Sequence, residues 1–482
     1  MSAVYQNFIN GQFADKTYNE QIEVLNPATH KQVGFVPESS MDDVDEAIVA
    51  ARAAQRSWGK LPAIQRANHL RAISAKLRQH VDRLARLITA EQGKILELAK
   101  IEVMFTADYI DYMAEWGRRI EGEVITSDRA GETIFMLRKP LGVVAGILPW
   151  NFPFFLVARK MAPALITGNT IVIKPSEETP MNAFEFAKLV AETDLPKGVF
   201  NLVSGKGSTV GARLSGSKDV NMVSFTGSVG VGSQIMKAAS ANLTRVNLEL
   251  GGKAPAIVLA DADLDLAAKA IWDSRITNTG QLCNCAERIY VQSAVADALT
   301  EKLAAHMKGT RYGDPLTESA LHMGPLINKQ GLMKVDELVR GAVGQGAQLV
   351  TGGKIADRES GFHYEPTVLA NCAHDMNIMH QEVFGPVIPI QRVDSLEEAV
   401  QYANDSEYGL TSSVFTSNLN HAMQACNALE FGETYINREH FEAMQGFHAG
   451  RRKSGIGGAD GKHGLYEHLE TQVVYMNHGQ LA

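Results

Sequence analysis

From residue 141 onward, short apolar runs rich in β-branched residues alternate with helical patterns, an arrangement few folds can satisfy. The runs are Leu141-Gly142-Val143-Val144-Ala145-Gly146-Ile147-Leu148, Thr170-Ile171-Val172-Ile173, Val199-Phe200-Asn201-Leu202-Val203 and Val220-Asn221-Met222-Val223-Ser224-Phe225. Continuously apolar strands separated by helices predict a parallel sheet covered on both faces. Ligands bind such sheets outside the carboxyl ends of the strands. After Ala254 a second alternation begins with Ala256-Ile257-Val258-Leu259, a helix from Asp263 to about Asn278, the run from Val383 to Ile390 and a helix from Leu396 to Ala403. The junction between the two falls at Leu250-Gly251-Gly252-Lys253. A chain of 482 residues is too long for one core, so two or three domains are expected.

Upstream, Phe8 to about Pro37 reads as short strands and turns. Ser40 then suits the N-cap of a helix whose apolar face is Val44, Ala47, Ile48, Ala51 and Ala54. A second helix is expected from near Pro62 and a third from about Leu96 to Gly117.

The net charge of -8 is spread along the chain, which argues against nucleic acid or an anionic membrane as the main partner. No apolar run approaches the roughly 20 residues that span a bilayer, and the first residues lack signal-peptide character, so a cytoplasmic protein is expected. Four cysteines, Cys283, Cys285, Cys372 and Cys426, suit a reducing compartment. Cys283 and Cys285 form a lone Cys-x-Cys with no second pair, which gives no reason to expect a metal.

The stretch Asn278-Thr279-Gly280-Gln281-Leu282-Cys283-Asn284-Cys285-Ala286-Glu287-Arg288 lies where a helical pattern hands over to the strand-like Ile289-Tyr290-Val291. A thiol on such a turn serves either as a nucleophile or as a buried packing residue. No histidine forms a recognisable motif with it in the sequence. Two glycine-rich turns compete for a nucleotide: Gly205-Lys206-Gly207-Ser208-Thr209-Val210-Gly211, and Phe225-Thr226-Gly227-Ser228-Val229-Gly230-Val231-Gly232. Neither has the standard dinucleotide fingerprint, but either could present helix N-terminal N–H groups to a phosphate.

Six motifs then fall into one known arrangement: Pro149-Trp150-Asn151-Phe152-Pro153, Lys174-Pro175-Ser176-Glu177, Phe225-Thr226-Gly227-Ser228, Leu248-Glu249-Leu250-Gly251-Gly252-Lys253, Gly280-Gln281-Leu282-Cys283 and Glu382-Val383-Phe384-Gly385-Pro386. Over essentially its full length the chain resembles the NAD(P)-dependent aldehyde dehydrogenases, and within them a group acting on small hydroxyaldehydes. The resemblance implies an α/β fold with a Rossmann-like parallel-sheet cofactor domain, an α/β catalytic domain and a small β oligomerisation element. It assigns the nucleophile to Cys283 rather than Cys285, oxyanion stabilisation to Asn151 with the backbone N–H of Cys283, and the general base to Glu249. It implies NAD as cofactor, with NADP weaker, because a carboxylate at Glu177 beside Lys174 suits ribose hydroxyls and repels a 2′-phosphate. Gly227 and Ser228 go to the pyrophosphate, Glu382 to the nicotinamide ribose and Phe384 to its ring. Leu148, Pro149, Trp150, Ser176, Gly207, Phe225, Thr226 and Leu250 complete the expected cofactor site.

The segment from Gln445 to Gly455 departs from the family's usual C-terminal pattern and brings His448 near Glu442 in sequence. With Arg159 these make a candidate substrate site, suited to a hydroxyl beside the aldehyde or, through the arginine, to a carboxylate. A hydroxyaldehyde dehydrogenase is therefore expected, with a semialdehyde dehydrogenase as the alternative and a cysteine hydrolase or inactive scaffold as the readings from other classes. The resemblance also implies residues 1–118 and 139–250 as the cofactor domain, 251–463 as the catalytic domain, and 119–138 with 464–482 as the oligomerisation element. Thr471-Gln472-Val473-Val474-Tyr475-Met476 reads as an exposed edge strand, so a homo-oligomer is expected, tetramer or dimer.

Overall fold

The computed structural model describes residues 3–18 and 20–479. Two large sheets organise it. In the first, the strands run in the order Arg245–Glu249, Met222–Thr226, Val143–Ile147, Thr170–Lys174 and Phe200–Leu202, all parallel. Alternate residues feed different cores, Val144, Ile171 and Ile173 on one face and Val143, Ala145 and Val172 on the other. Apolar residues at every position of these strands follow from that two-sided burial. The edges are closed by short antiparallel strands, Gly455–Ile456 at one side and Phe8–Ile9 with Gln12–Phe13 at the other.

The order of the parallel strands reverses between Val143–Ile147 and Met222–Thr226. A crevice opens at such a reversal, beyond the carboxyl ends of the two strands. The residues that follow those ends are Leu148 to Asn151 and Gly227 with Ser228.

The second sheet runs Gln348–Thr351, Thr367–Ala370, Val387–Val393, Arg288–Gln292, Pro255–Val258, Thr411–Phe415 and Glu433–Ile436, parallel except for the first. The cysteine turn stands at the amino end of Arg288–Gln292. Glu249 is the last residue of its strand in the first sheet, so the site forms where carboxyl ends of one sheet meet amino ends of the other. A third sheet pairs Leu469–Asn477 with Glu132–Pro140, which pairs in turn with Glu123–Thr126. The strand Leu469–Asn477 lies at its edge with Val473, Tyr475 and Met476 exposed.

Several local expectations need correcting. Ser40 caps the helix Met41–Trp58 in a capping box with Asp43, as its sequence suggests. Beyond Pro62, however, the residues form two helices, Ala63–Gln79 and Val81–Gln92, broken at His80, where ψ is 18°. The run from Val383 to Ile390 is a strand only from Val387; the first part is a loop, because the N–H groups of Val383 and Phe384 are taken by the Glu287 carboxylate instead of a ladder. A short helix, Gly461–Tyr466, precedes the last strand. Among the described residues no helix is long and apolar enough to cross a membrane.

Candidate active site

Three consecutive residues of left-handed backbone, Asn278 (φ 50°), Thr279 (φ 61°) and Gly280 (φ 73°), end the helix Leu264–Ile276 and turn the chain toward Cys283. Such conformations cost about 1–3 kcal/mol each in non-glycine residues and persist only where the surroundings hold them. Here Thr279 Oγ1 donates to the Gly324 carbonyl (3.0 Å), Gln281 Oε1 accepts from the Ile327 N–H (2.9 Å), and Asn278 Nδ2 donates to the Asn151 carbonyl (3.1 Å). A Cβ at Gly280 would sit 2.4 Å from the Gly385 carbonyl oxygen, and one at Gly252 2.4 Å from that of Cys283. The glycines are there so that three backbone segments can touch around the thiol.

Asn151 precedes the helix Pro153–Ile166, every residue of which is buried. Pro153 at its first turn has no N–H to satisfy, and the next two, Phe154 and Phe155, donate to Glu102 Oε1 at 2.9 and 3.1 Å. Glu102 is itself paired with Lys94 (2.7 Å), whose ammonium also donates to the Asn151 carbonyl (2.7 Å). This buried frame fixes the Asn151 side chain. One of its N–H bonds reaches the Gln281 carbonyl (3.1 Å), and the other is uncommitted among the described residues.

Two cavities meet at these residues. The first, about 270 Å³, is lined by Phe105, Phe155, Arg159, Glu249, Glu442 and His448. The second, about 340 Å³, is lined by Pro149, Trp150, Gly227, Ser228, Leu250, Gly251, Glu382 and Phe384. Asn151, Thr226 and Cys283 belong to the walls of both. A depression of about 380 Å³ beside Trp272, His306 and His322 shares no wall with either.

Of the two cysteines in the turn, Cys283 is partly exposed and Cys285 is buried. The Cys285 sulfur is hydrogen-bonded by Arg275 (2.9 Å), and burial pushes its thiol up to about 12 despite that neighbour. Glu249 is buried, with Oε2 accepting from Lys160 Nζ (2.8 Å) and Thr226 Oγ1 (2.6 Å). Its Oε1 has no hydrogen-bond partner among the described residues. Burial alone would raise this carboxyl, but Lys160, and then Arg159 and His448, outweigh it and hold Glu249 well below the usual carboxylate range. An ionised carboxylate therefore stands in the wall of the cavity that contains the thiol, with its Oε1 shielded from solvent.

The guanidinium of Arg159 is engaged by Asp460 through both Nε (3.1 Å) and Nη2, with Glu442 at 3.4 Å and Glu249 at 3.9 Å. Glu442 also accepts from Asn284 Nδ2 (2.5 Å). His448 is buried, and its Nδ1 lies 2.6 Å from Glu433 Oε1. His448 and Cys283 line the same cavity, a proximity that nothing in the linear order of residues had indicated.

The second cavity gathers groups suited to the nicotinamide and pyrophosphate part of a dinucleotide, while Lys174, Ser176, Glu177 and Gly207 lie outside its wall. Ser228 caps the helix Val229–Ser240, whose first N–H groups point outward beside Gly227, a site suited to a pyrophosphate. Cβ atoms at Gly227 and Gly251 would lie 2.4 Å from the Phe225 ring and 2.9 Å from the Glu382 carboxylate, so the bare backbone keeps the cleft open. Phe384, with a φ of 57°, meets Trp150 edge to face at 5.5 Å. Glu382 accepts from the Gly252 N–H (2.8 Å) and, through burial and then the nearby Glu287, is pushed up to about 7. Farther out, Lys174 Nζ lies 3.2 Å from Glu177, which also accepts from the Gly207 N–H. Ser176 is buried beside them. Phe225, Thr226 and Leu148 close the ends of the adjoining strands. Among the described residues no group of three or more His, Cys, Asp or Glu is arranged to hold a metal ion.

Sequence reasoning missed the supporting residues. Glu287 pairs with both Lys253 (2.7 Å) and Arg275 (2.8 Å), all three inaccessible to solvent, and holds the Phe384 loop by two N–H bonds. Its signal was a charged residue at the mouth of a fully buried strand. Lys160 and Asp460 gave no such signal, because their partners lie far away in the chain, and the nearer pairs Lys94–Glu102 and Glu433–His448 match no pattern that marks a site.

Comparison with known proteins agrees with this geometry. Residues 13–474 match the family described as the aldehyde dehydrogenase family. The chain is 58% identical over 469 residues to the lactaldehyde dehydrogenase of Escherichia coli K12, covering 97% of this chain and 98% of that one. It superposes on the crystal structure of Escherichia coli lactaldehyde dehydrogenase with a TM-score of 0.98 and 57% identity, covering 99% and 100% of the two chains. A betaine aldehyde dehydrogenase from Staphylococcus aureus in complex with NAD+ gives a TM-score of 0.95 at 36% identity, covering 99% of this chain and 96% of that one. The family match, the full-length identity and the matching fold agree, and the chain belongs to the aldehyde dehydrogenase family, as an oxidoreductase.

Proposed function

We propose that the chain oxidises a small hydroxyaldehyde, of the lactaldehyde or glycolaldehyde kind, to the hydroxyacid with NAD. The observation that carries the reading is the shared wall: one partly exposed thiol, Cys283, stands with Asn151 between a small cavity that holds Arg159, Glu249, Glu442 and His448 among apolar side chains and a second cavity lined by Gly227, Ser228, Glu382 and Phe384.

In this reading the Cys283 sulfur adds to the aldehyde carbon, and the resulting oxyanion accepts from the free N–H of Asn151 and from the backbone N–H of Cys283. Losing one such donor costs about 2.7–4 kcal/mol of barrier height. A bound nicotinamide supplies the hydride acceptor. Gly227 and Ser228 hold the pyrophosphate, Glu382 the adjacent ribose, and Phe384 with Trp150 the ring; Lys174 and Glu177 take the adenosine ribose. Glu177 is held below the usual carboxylate range, since Lys174 overcomes its burial, so it stays ionised and disfavours the 2′-phosphate of NADP. After hydride loss the acyl group remains on sulfur as a thioester. Glu249, a wall residue of the same cavity, orients the attacking water.

A hydroxyl on the substrate carbon meets Arg159, Glu442 and His448, which offer both donors and acceptors. A carboxylate there, as in a semialdehyde, would find the Arg159 fork already filled by Asp460 and the Glu442 carboxylate alongside. That disfavours the semialdehyde alternative. Turnover of lactaldehyde, glycolaldehyde and succinic semialdehyde with NAD and with NADP tests the proposal. The hydroxyaldehydes with NAD should lead in kcat/KM by at least about tenfold, the scale of about 1.4 kcal/mol of differential transition-state binding; a preference for succinic semialdehyde would refute the substrate assignment.

We further infer a cytoplasmic homotetramer joined through the edge strand Leu469–Asn477, whose exposed apolar side chains support a paired state. Residues 1–118 and 139–250 serve as the cofactor domain, 251–463 as the catalytic domain, and 119–138 with 464–482 as the assembly element.

A further inference from the structure

The proposed reaction leaves one fully buried carboxylate without a task. Glu287 directly precedes the strand Arg288–Gln292 and is inaccessible to solvent. Each of its oxygens faces one cation and one loop N–H. Oε2 accepts from Lys253 Nζ (2.7 Å) and from the Val383 N–H (2.9 Å), while Oε1 accepts from the Phe384 N–H (3.0 Å) and lies 2.8 Å from Arg275 Nη2. An ionised carboxylate has about four acceptor sites, so this one is fully occupied.

Its partners belong to different parts of the site. Arg275 Nη1 donates to the Cys285 sulfur (2.9 Å) and the Ala286 carbonyl (3.2 Å), within the turn that carries Cys283. Val383 and Phe384 stand in the loop that lines the second cavity, where Phe384 meets Trp150, and Cys283 lines that cavity as well. Loop and turn also touch where the Gly385 carbonyl lies against Gly280. The two are not equally dependent on Glu287. The turn keeps the bonds of Asn278, Thr279 and Gln281 to Asn151, Gly324 and Ile327 without it. The loop N–H groups of Val383 and Phe384 both end on this carboxylate. Removing it should therefore free the loop and leave the turn in place.

We propose that Glu287 is a positioning residue: it joins the loop at Val383 and Phe384 to the Cys283 turn, and so sets how far a nicotinamide ring stands from the carbon bound to sulfur. The proposal rests on the reading of Phe384 as the residue beside that ring. In the hydride step the C–H bond of the sulfur adduct breaks, its electron pair leaves with the hydrogen, and an oxyanion lone pair closes the thioester carbonyl. The aldehyde carbon is oxidised, with NAD as the two-electron acceptor. Such a step needs reacting atoms about 3–3.5 Å apart, and a displacement of about 1 Å costs about a hundredfold. Aldehyde binding uses the other cavity, whose wall Glu287 does not join.

Hydrogen exchange of the free protein tests the joint without aldehyde or cofactor. In Glu287→Gln, whose amide NH2 offers donors where an oxygen accepted, residues 382–386 should exchange at least about tenfold faster while residues 277–286 stay within about threefold of the wild type. Iodoacetamide attachment at Cys283, located by mass spectrometry, should also stay within about threefold, as a thiol whose surroundings keep their place requires. Single-turnover NADH appearance from the NAD-saturated variant and glycolaldehyde should fall about a hundredfold, with KM for the aldehyde within about threefold. Because Glu287→Gln leaves Lys253 and Arg275 buried without this carboxylate, Glu287→Asp supplies a second arm. It keeps the charge, shortens the reach by one methylene, and should still release the loop, with about a tenfold loss of NADH appearance. Loop exchange at the wild-type rate in a folded variant overturns the proposal, and so does a turn that loosens along with the loop. NADH appearance within about threefold of the wild type while the loop is released overturns the positioning role. A wild type that makes no NADH refutes the dehydrogenase reading instead, and the exchange and labelling data still judge the joint.

Discussion

Replacing Glu249 by Gln separates the two halves of the proposed reaction. The amide is nearly isosteric. Its oxygen can still accept from Lys160 and Thr226, while its NH2 takes the position of Oε1, 3.9 Å from Arg159 Nε. The acceptor that would orient water is thereby turned into a donor. General-base assistance is typically worth 10²–10⁴-fold. Because Lys160 and Arg159 hold the carboxylate so low, its proton affinity is small, and the lower end is expected: about a hundredfold, or about 2.7 kcal/mol. Thioester formation should survive. Rapid mixing of the NAD-saturated variant with glycolaldehyde should therefore give about one NADH per site in a first fast phase, followed by a steady rate near a hundredth of the wild type. Mass spectrometry should find the acyl group on Cys283. The variant also leaves buried Lys160 without its counter-charge, which costs about 3–5 kcal/mol of stability and should lower Tm. An undiminished steady rate would remove Glu249 from the mechanism. A folded variant that binds NAD but shows no fast phase would instead place its work before hydride transfer.

Cys283→Ala should abolish NADH formation while leaving NAD affinity within about threefold, whereas Cys285→Ser should remain active, both read by turnover and by binding titration. Gly252→Ala should lower kcat by about a hundredfold, since its Cβ would fall 2.4 Å from the Cys283 carbonyl oxygen and force the nucleophile to move. Glu382, pushed up to about 7, binds a proton in the folded protein between about 4.3 and 7 that the unfolded chain does not, so its contribution to stability falls as pH rises through that window. NAD affinity should rise over the same change toward pH 8, as an ionised carboxylate accepts from ribose hydroxyls. Glu382→Gln should flatten that dependence in a fluorescence titration; an unchanged slope would dissociate the ribose from this residue.

Much of this was legible in the residue order. Val143–Ile147 and its neighbours are apolar at every position because helices cover both sheet faces, and short-range periodicity records that. Gly280 and Gly252 stand in the motifs that carry the resemblance, and each lets its backbone approach another segment's carbonyl, Gly385 and Cys283 respectively. What stayed hidden is long-range. Arg159 is tied to Asp460 across 301 residues and Lys160 to Glu249 across 89. Partnerships of that kind arise only once the strands and helices around the first sheet are assembled, and no local pattern specifies them. The proximity of His448 to Cys283 was invisible for the same reason, as the two lie on segments brought together by the return of the chain to the first sheet at Gly455–Ile456. The loop at Val383 misread as strand because its apolar residues serve a carboxylate anchor instead of a ladder.

The two cavities that meet at Cys283 have exposed wall residues at different places, Ile101 in one and Gln330 with Lys334 in the other. A molecule wedged at Ile101 should compete with the aldehyde, imprison an acid already formed, and leave dinucleotide exchange untouched.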